Sequence, residues 1–254
     1  MELFDTHCHI DVAEFAPDRA AVIAAARRAG VTRMLVPAVD AAGIPALLAL
    51  CRAEPGFYPA LGLHPVYVEQ HRPEDVDFVA AQIAEAKPAA VGEIGLDFFV
   101  PGLDRGKQQT LFEAHLRLAR AADLPVVLHV RKAHDQVLAT LRRIKVRGGF
   151  AHAFNGSMQQ AQQYIDLGFR LGFGGTLTYD RSNRIRALAV ELPLEAIVLE
   201  TDAPDMVVSN HRGERNDPEY IVESLQVLAA LRNATPQAIA AATTRNSCAV
   251  LGIQ

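Results

Sequence analysis

The sequence predicts a single α/β domain, residues 1–254, folded as a (β/α)8 TIM barrel, and three observations support this. The chain has 254 residues, half of them hydrophobic, which is a typical size for one such barrel. Short apolar segments alternate with amphipathic helical segments along the whole chain, a pattern that indicates parallel strands joined by helices. Polar residues follow several of these strands, where barrel enzymes hold their active sites. A doubly wound open sheet fits the number of segments nearly as well and is the alternative.

The predicted strands are short runs rich in Val, Ile, Leu and Phe, and the predicted helices carry apolar residues at helical spacing. The strands cover residues 3–9, 33–39, 57–65, 89–95, 124–130, 149–154, 169–173 and 196–202. The helices cover residues 18–28, 41–51, 73–86, 108–121, 134–144, 159–166, 183–191, 218–231 and 236–251. Gly30 is placed to end the first helix, and Pro73 stands in the first turn of the third.

Charge and cysteine usage narrow the class of protein. The formal net charge is −4, which argues against a protein that coats nucleic acid by bulk electrostatics but leaves room for a local anion site. The three cysteines, Cys8, Cys51 and Cys248, show no disulfide-like or CxxC spacing, as expected for thiols kept reduced in a cytoplasm. The sequence shows no signal peptide and no apolar run long enough to cross a bilayer. We therefore expect a cytoplasmic monomer without a membrane partner.

Six polar side chains are predicted to meet at the carboxyl ends of the strands. His7 and His9 alternate with Cys8 and so share one face of an extended strand, a weak signal by itself. A barrel would bring them together with four others, giving the set His7, His9, Glu93, His129, His152 and Asp202. Any single member has an ordinary alternative as a hydrogen-bonded core residue or a loop cap. Six together suit two divalent ions, with Glu93 as the bridging carboxylate, because one catalytic zinc needs only three protein ligands.

Other residues are predicted to support this cluster. Asp5 and Glu200 lie one pleat deeper and are expected to orient histidine ligands, with a buried ion pair as the alternative. His64, at the end of the third strand, and Arg131, two residues after His129, are expected to bind substrate. The alternatives are a loop cap for His64 and a plain surface role for Arg131. Two further arginines in the loop after the eighth strand are expected to form a lid over an anionic ligand: Arg212 and Arg215.

Six segments spread over the whole chain carry a family resemblance. They are Asp5-Thr6-His7-Cys8-His9, Gly62-Leu63-His64-Pro65, Val91-Gly92-Glu93-Ile94-Gly95-Leu96-Asp97, Leu128-His129-Val130-Arg131, His152-Ala153-Phe154-Asn155-Gly156 and Leu199-Glu200-Thr201-Asp202-Ala203-Pro204. The sequence resembles the TatD family of metal-dependent deoxyribonucleases in the amidohydrolase superfamily. The resemblance implies a TIM barrel whose metal ligands match the six residues above. Asp217 stands where the family often has Glu, and Asn155 where many members have Ser or Thr.

The expected activity is hydrolysis of DNA phosphodiester bonds by metal-activated water. One ion would be held by His7, His9 and Asp202, and another by His129 and His152, with Glu93 between them. Asp202 is the expected general base. An exonuclease that grips a single-stranded substrate at its end needs few phosphate contacts, which fits the acidic chain. The ligand set suits zinc, manganese, iron or nickel, whereas magnesium more usually takes fewer imidazoles.

Two alternatives remain open at this point. One is another hydrolase of the same superfamily that cleaves a small phosphoester, a lactone or an amide. The other is a barrel that binds metal or a partner without catalysis.

Overall fold

A computed structural model describes residues 1–253; Gln254, the last residue of the predicted domain, lies outside it. Eight parallel strands follow one another in the sheet in chain order. They are β1 Leu3–Asp5, β2 Val31–Pro37, β3 Phe57–Leu61, β4 Ala90–Asp97, β5 Val126–Arg131, β6 Gly149–Ala151, β7 Phe169–Phe173 and β8 Ile197–Leu199. The α-helices are α1 Arg19–Ala29, α2 Ile44–Ala53, α3 Pro73–Ala86, α4 Arg105–Ala122, α5 His134–Arg143, α6 Met158–Asp166, α7 Asn183–Glu191, α8 Ile221–Leu231 and α9 Pro236–Leu251.

Hydrogen bonds just beyond the ends of β1 and β8 join the two edges of the sheet. The Thr6 N–H donates to the Leu199 carbonyl at 3.1 Å, and the Asp202 N–H donates to the His7 carbonyl at 2.8 Å. Sequential strand order together with this seam makes a nearly closed barrel, because an open doubly wound sheet would instead reverse its strand order. The prediction of a TIM barrel is confirmed.

Several predicted strands are longer than the observed ones, mainly at their carboxyl ends. The first strand ends at Asp5 rather than at residue 9, and the eighth ends at Leu199 rather than at residue 202. For the sixth and eighth strands the physical reason is local, because Ala153 and Asp202 adopt positive φ angles of 45° and 61°, outside the β region that a strand requires of residues other than glycine. The chain therefore leaves the sheet just where side chains must turn toward one point.

The helix bounds agree more closely with the prediction, and the three largest differences are helix starts displaced by three residues. The fourth helix begins at Arg105 rather than at residue 108, because the Asp104 carboxylate caps it by accepting a hydrogen bond from the Lys107 N–H. The second helix begins at Ile44, because residues 41–43 form a turn in which the Gly43 N–H donates to the Asp40 carboxylate. The segment predicted as one helix over residues 218–231 starts as a 3₁₀ turn at Pro218–Tyr220 before α8 begins.

The barrel interior holds its own apolar cluster, separate from the larger core between strands and helices. Its members come from seven of the eight strands: Phe4, Leu35, Ala60, Ala90, Val127, Phe150 and Val198. Leu251 of α9 packs against them, so the last helix covers the floor of the barrel, and polar residues take the other end. No helix among residues 1–253 is both long enough and apolar enough to cross a membrane.

Candidate metal centre

Glu93 of β4 stands between two groups of imidazoles at the mouth of the barrel. Its side chain is only 1% exposed. One oxygen, Oε2, lies 3.0 Å from His7 Nε2 and 3.3 Å from His9 Nε2. The other, Oε1, lies 3.0 Å from His129 Nδ1. The pairing of β4 with β5 shifts register between Val91 and Ile94, and irregularities of this kind re-aim a side chain. Each carboxylate oxygen thus faces a different set of nitrogens.

The donor atoms around Oε2 have the spacing expected around a single ion. His7 Nε2 and His9 Nε2 are 3.1 Å apart, and Asp202 Oδ1 lies 3.5 Å from the first and 3.8 Å from the second. Ligands held tetrahedrally at zinc-like bond lengths lie about 3.3–3.5 Å from one another. Glu93 Oε2 is buried and accepts no hydrogen bond within residues 1–253. A divalent cation fits this cluster.

The second group of nitrogens lies on the Oε1 side of Glu93. His152 Nε2 is 3.8 Å from Glu93 Oε1 and 3.8 Å from Asp202 Oδ2, so His152 faces both carboxylates. Behind it, Glu200 Oε1 lies 3.4 Å from His152 Nδ1 and accepts a hydrogen bond from the Ala153 N–H. The structure thus brings all six predicted ligands to one end of the barrel, and Glu200 stands where it was expected to orient a histidine.

Asp5 has a different role from the one expected. Its carboxylate accepts hydrogen bonds from the backbone N–H groups of His7 and Thr201 and from the Thr201 hydroxyl. It therefore holds together the backbone ends of β1 and β8 rather than an imidazole. Burial raises the pKa of Asp5 to about 7.

His64 combines the two roles that the sequence left open. Its Nδ1 accepts a hydrogen bond from the Val66 N–H at 3.1 Å, which caps the loop after β3. A neutral ring that accepts at Nδ1 carries its proton on Nε2, and this Nε2 lies 3.4 Å from Glu93 Oε1. The His71 ring donates to the His64 carbonyl at 2.8 Å and fixes the loop from behind. In this state His64 presents a hydrogen-bond donor to the site rather than a metal-ligating lone pair.

Asp97 is a site residue that the sequence analysis did not single out. Its Oδ1 accepts hydrogen bonds from the Phe99 and Val100 N–H groups at 2.8 and 2.9 Å. Its Oδ2 lies 2.9 Å from His129 Nε2 and accepts the proton on that nitrogen. His129 is therefore held between two carboxylates, Asp97 at Nε2 and Glu93 at Nδ1. The signal was present in the sequence, since Glu93 and Asp97 stand four residues apart on one strand and so share its face.

Burial and mutual attraction set the charges of the cluster. Although burial opposes it, the surrounding imidazoles hold the pKa of Glu93 well below its ordinary value. Burial also opposes the protonated form of His9, but Glu93 and Asp202 outweigh it and raise the pKa of His9 to about 9. Burial raises the pKa of Asp202 to about 6. The carboxylates thus favour positive charge beside them, and their oxygens together with the ring nitrogens form a donor set that suits a divalent cation.

The cluster opens into a cavity of about 670 Å³, a size usual for small-ligand sites. Arg131 lines this cavity, with its guanidinium carbon 3.7 Å from the centroid of the Phe99 ring. The prediction that Arg212 and Arg215 form a lid is wrong for Arg215. That side chain forms ion pairs with Asp18 at 2.8 Å and Asp217 at 3.0 Å, so its charge is already neutralised away from the cavity.

Comparison with known proteins places the chain in a family. Residues 4–252 match the family described as TatD related DNase. The chain is 41% identical over 254 residues to the uncharacterized metal-dependent hydrolase YjjV of Escherichia coli K12, covering 98% of this chain and 97% of that protein. It is 31% identical over 252 residues to the 3'-5' ssDNA/RNA exonuclease TatD of Salmonella typhimurium, covering 96% and 97%. The crystal structure of YjjV superposes with a TM-score of 0.95 at 39% identity, covering 99% of this chain and 98% of that one. This chain belongs to the TatD family of metal-dependent hydrolases.

Proposed function

We propose that this protein is an exonuclease that hydrolyses phosphodiester bonds of single-stranded nucleic acid with the aid of two divalent ions, both of which Glu93 would help to hold. The observation that carries the proposal is the two-sided environment of Glu93, whose oxygens face separate groups of ring nitrogens at 3.0–3.4 Å. His7, His9 and Asp202 would hold one ion, and His129 and His152 the other. Ions bound there would lower the pKa of a water molecule and stabilise negative charge on the phosphate.

The residues around the ions have separate tasks in this proposal. Asp202 has a second oxygen, Oδ2, turned away from His7 and His9 toward His152. This oxygen accepts the proton of the attacking water as general base. The Nε2–H group of His64 donates a hydrogen bond to a phosphate oxygen as negative charge develops there, and the Arg131 guanidinium pairs with an adjacent phosphate.

Asp97 and Glu200 act through the histidines that they contact. A ligating histidine commonly donates its other ring N–H to a carboxylate, which fixes its tautomer and orientation. Asp97 holds the proton of His129 on Nε2 and leaves the Nδ1 lone pair pointing toward Glu93. Glu200 Oε1 lies 3.4 Å from His152 Nδ1 without a hydrogen bond between them, and in this proposal its charge favours the His152 tautomer that carries the proton on Nδ1 and the lone pair on Nε2.

The charge of the cavity favours attack at a strand end over binding along a duplex. Arg131 is the single Arg or Lys among the described residues that line it, and the lining also includes Glu14 and Asp205. Proteins that track a nucleic-acid backbone use several cations to neutralise successive phosphates. A relative that this chain matches over 97% of its length carries the name 3'-5' ssDNA/RNA exonuclease, which supports the same choice of substrate.

The test is degradation of end-labelled single-stranded DNA and RNA by protein loaded in turn with Mn²⁺, Zn²⁺ or Mg²⁺. Glu93→Ala removes the proposed bridge, and Glu195→Ala, an exposed glutamate just before β8 at the opposite end of the strands, is the matched control. We expect metal-dependent loss of nucleotides from one end for the wild type and the control, and none for Glu93→Ala. Metal analysis should give two ions per wild-type chain.

Different results would contradict separate parts of the proposal. Intact nucleic acid together with hydrolysis of a lactone or a small phosphoester would reject the nuclease and keep a metal-dependent hydrolase. Full turnover by Asp202→Asn would reject the general base alone.

A further inference from the structure

Large exposed aromatic side chains are few among residues 1–253, and two of the three lie beside the cavity. Tyr67 is 41% exposed and Phe99 is 52% exposed, whereas the third, Phe78, lies on the outer helix α3. Tyr67 belongs to the loop after β3 and Phe99 to the loop after β4. These loops are neighbours, because the Asp104 N–H donates to Glu69 Oε1 at 3.1 Å across them. The mouth of the barrel therefore has an aromatic border on one side.

Both rings connect to the site through other side chains. The Tyr67 ring packs edge-on against His64, with centroids 5.7 Å apart, and His64 packs in the same way on His129 at 4.5 Å. Phe99 supports Arg131, whose guanidinium carbon lies 3.7 Å from its ring centroid. No ion pair joins Arg131 to a carboxylate within residues 1–253, in contrast to Arg215. We call Tyr67, Phe99 and Arg131 the aromatic rim.

The chemistry of these three side chains suits one kind of ligand. Aromatic rings and guanidinium planes are the surfaces on which unpaired nucleobases stack, without regard to sequence. The cavity itself offers one Arg or Lys side chain, Arg131, against several acidic ones, and the chain carries a net charge of −4. Beyond the scissile phosphate and its neighbour, which the ions and Arg131 would bind, backbone electrostatics is therefore a weak source of affinity for a polyanion. Contact with the bases is the source that remains.

We propose that the aromatic rim is a stacking subsite for the bases next to the scissile phosphate of a single-stranded substrate. The inference rests on the nuclease function proposed above and specifies how that site selects its substrate. In a duplex, each base is covered by its neighbours and cannot stack on the rim until the end has opened. The rim thus favours single strands over duplexes, with little preference among the four bases.

The test compares a normal oligonucleotide with one that carries abasic residues at its digested end, since both have the same phosphates. Phe99→Ala and Tyr67→Ala remove one ring each, Phe99→Tyr and Tyr67→Phe retain a ring, and Phe78→Ala is the matched control. We expect each ring deletion to raise KM for the normal strand roughly 5- to 150-fold, the range for loss of one base–aromatic stack. On the abasic strand, whose KM is already raised for the wild type, the same deletions should have a several-fold smaller effect. The ring-retaining variants and Phe78→Ala should resemble the wild type on both strands.

The outcomes separate the two proposals. Equal KM values of the wild type for normal and abasic strands, or equal effects of the ring deletions on both, would overturn the stacking subsite and leave the nuclease in place. Failure of the wild type to cleave either strand would instead overturn the nuclease, and the stacking subsite with it. Melting temperatures of all variants show whether a loss reflects unfolding. About half of each side chain is exposed, so the melting temperatures should stay close to that of the wild type.

Discussion

Replacement of Asp97 by asparagine tests how the site prepares His129 for a metal ion. Asp97 Oδ1 accepts two backbone N–H groups, from Phe99 and Val100, so the amide oxygen of the introduced side chain must stay on that side. The amide NH₂ then faces His129 Nε2, 2.9 Å from the present Oδ2. A donor in that place requires Nε2 to be unprotonated and moves the ring proton to Nδ1. Nδ1 is the nitrogen that faces Glu93, so the substitution blocks the proposed ligand atom.

The expected size of the effect follows from this geometry. Loss of the carboxylate partner of a ligating histidine typically lowers metal affinity roughly 10- to 100-fold, or about 1.4–2.8 kcal/mol. Asp97→Ala leaves His129 free to adopt either tautomer, so we expect it near the lower end of that range. Asp97→Asn imposes the wrong tautomer and should lie near the upper end, although it is the closer match in shape.

Two measurements check this order without relying on turnover. Calorimetric titration of the metal-free proteins with Mn²⁺ or Zn²⁺ gives the affinities. Long-range ¹H–¹⁵N NMR spectra of the imidazoles report which nitrogen of His129 carries the proton, with His115 as an internal reference because its Nδ1 is hydrogen-bonded to the Leu111 carbonyl. If Asp97→Asn binds metal as well as or better than Asp97→Ala, a purely space-filling role for Asp97 is correct and the tautomer argument fails.

Three further outcomes are expected. Phe150→Ala empties part of the barrel interior, where Phe150 is fully buried, and should cost about 3–5 kcal/mol, seen as a melting temperature lower by more than roughly 6 °C; a loss under about 1 kcal/mol would show that the interior is not tightly packed. Removing bound metal with a chelator should lower the melting temperature by roughly 5–11 °C relative to protein in free metal ion at about one hundred times its Kd. An unchanged melting temperature would contradict a metal centre in the folded barrel. Hydrogen bonds from Arg143, Gln109 and Arg117 lower the pKa of Glu113 from 4.5 to about 2. The stability that these contacts contribute to the folded state is therefore present above pH 4.5 and is lost as the pH falls toward about 2. Glu113→Gln should lower the melting temperature at neutral pH by at most about 4 °C, with a difference that disappears in strong acid, and a difference that persists there would refute the ion-pair origin.

The fold and the residues of the candidate site were largely predictable because both depend on local patterns. Alternation of apolar strands with amphipathic helices is set by which side chains face the core, and it can be counted along the chain. His129 and His152 could be assigned to the barrel mouth for the same reason, since each follows a run of buried residues in the sequence, and the structure places both there. The strand ends could not be predicted, because residues such as Asp202 leave the ladder through backbone angles that no apolar pattern encodes.

Only the tertiary structure decided which polar atoms lie in contact with one another. The sequence by itself determined that this chain forms a barrel with histidines and carboxylates at the strand ends. It did not determine that Asp97 meets His129 Nε2, that His64 turns a donor toward Glu93, or that Arg215 is already paired with Asp18. These contacts join residues 29 to 197 positions apart. Their distances depend on how strands and loops pack around the whole barrel, whereas local periodicity reports only which face of each element is buried.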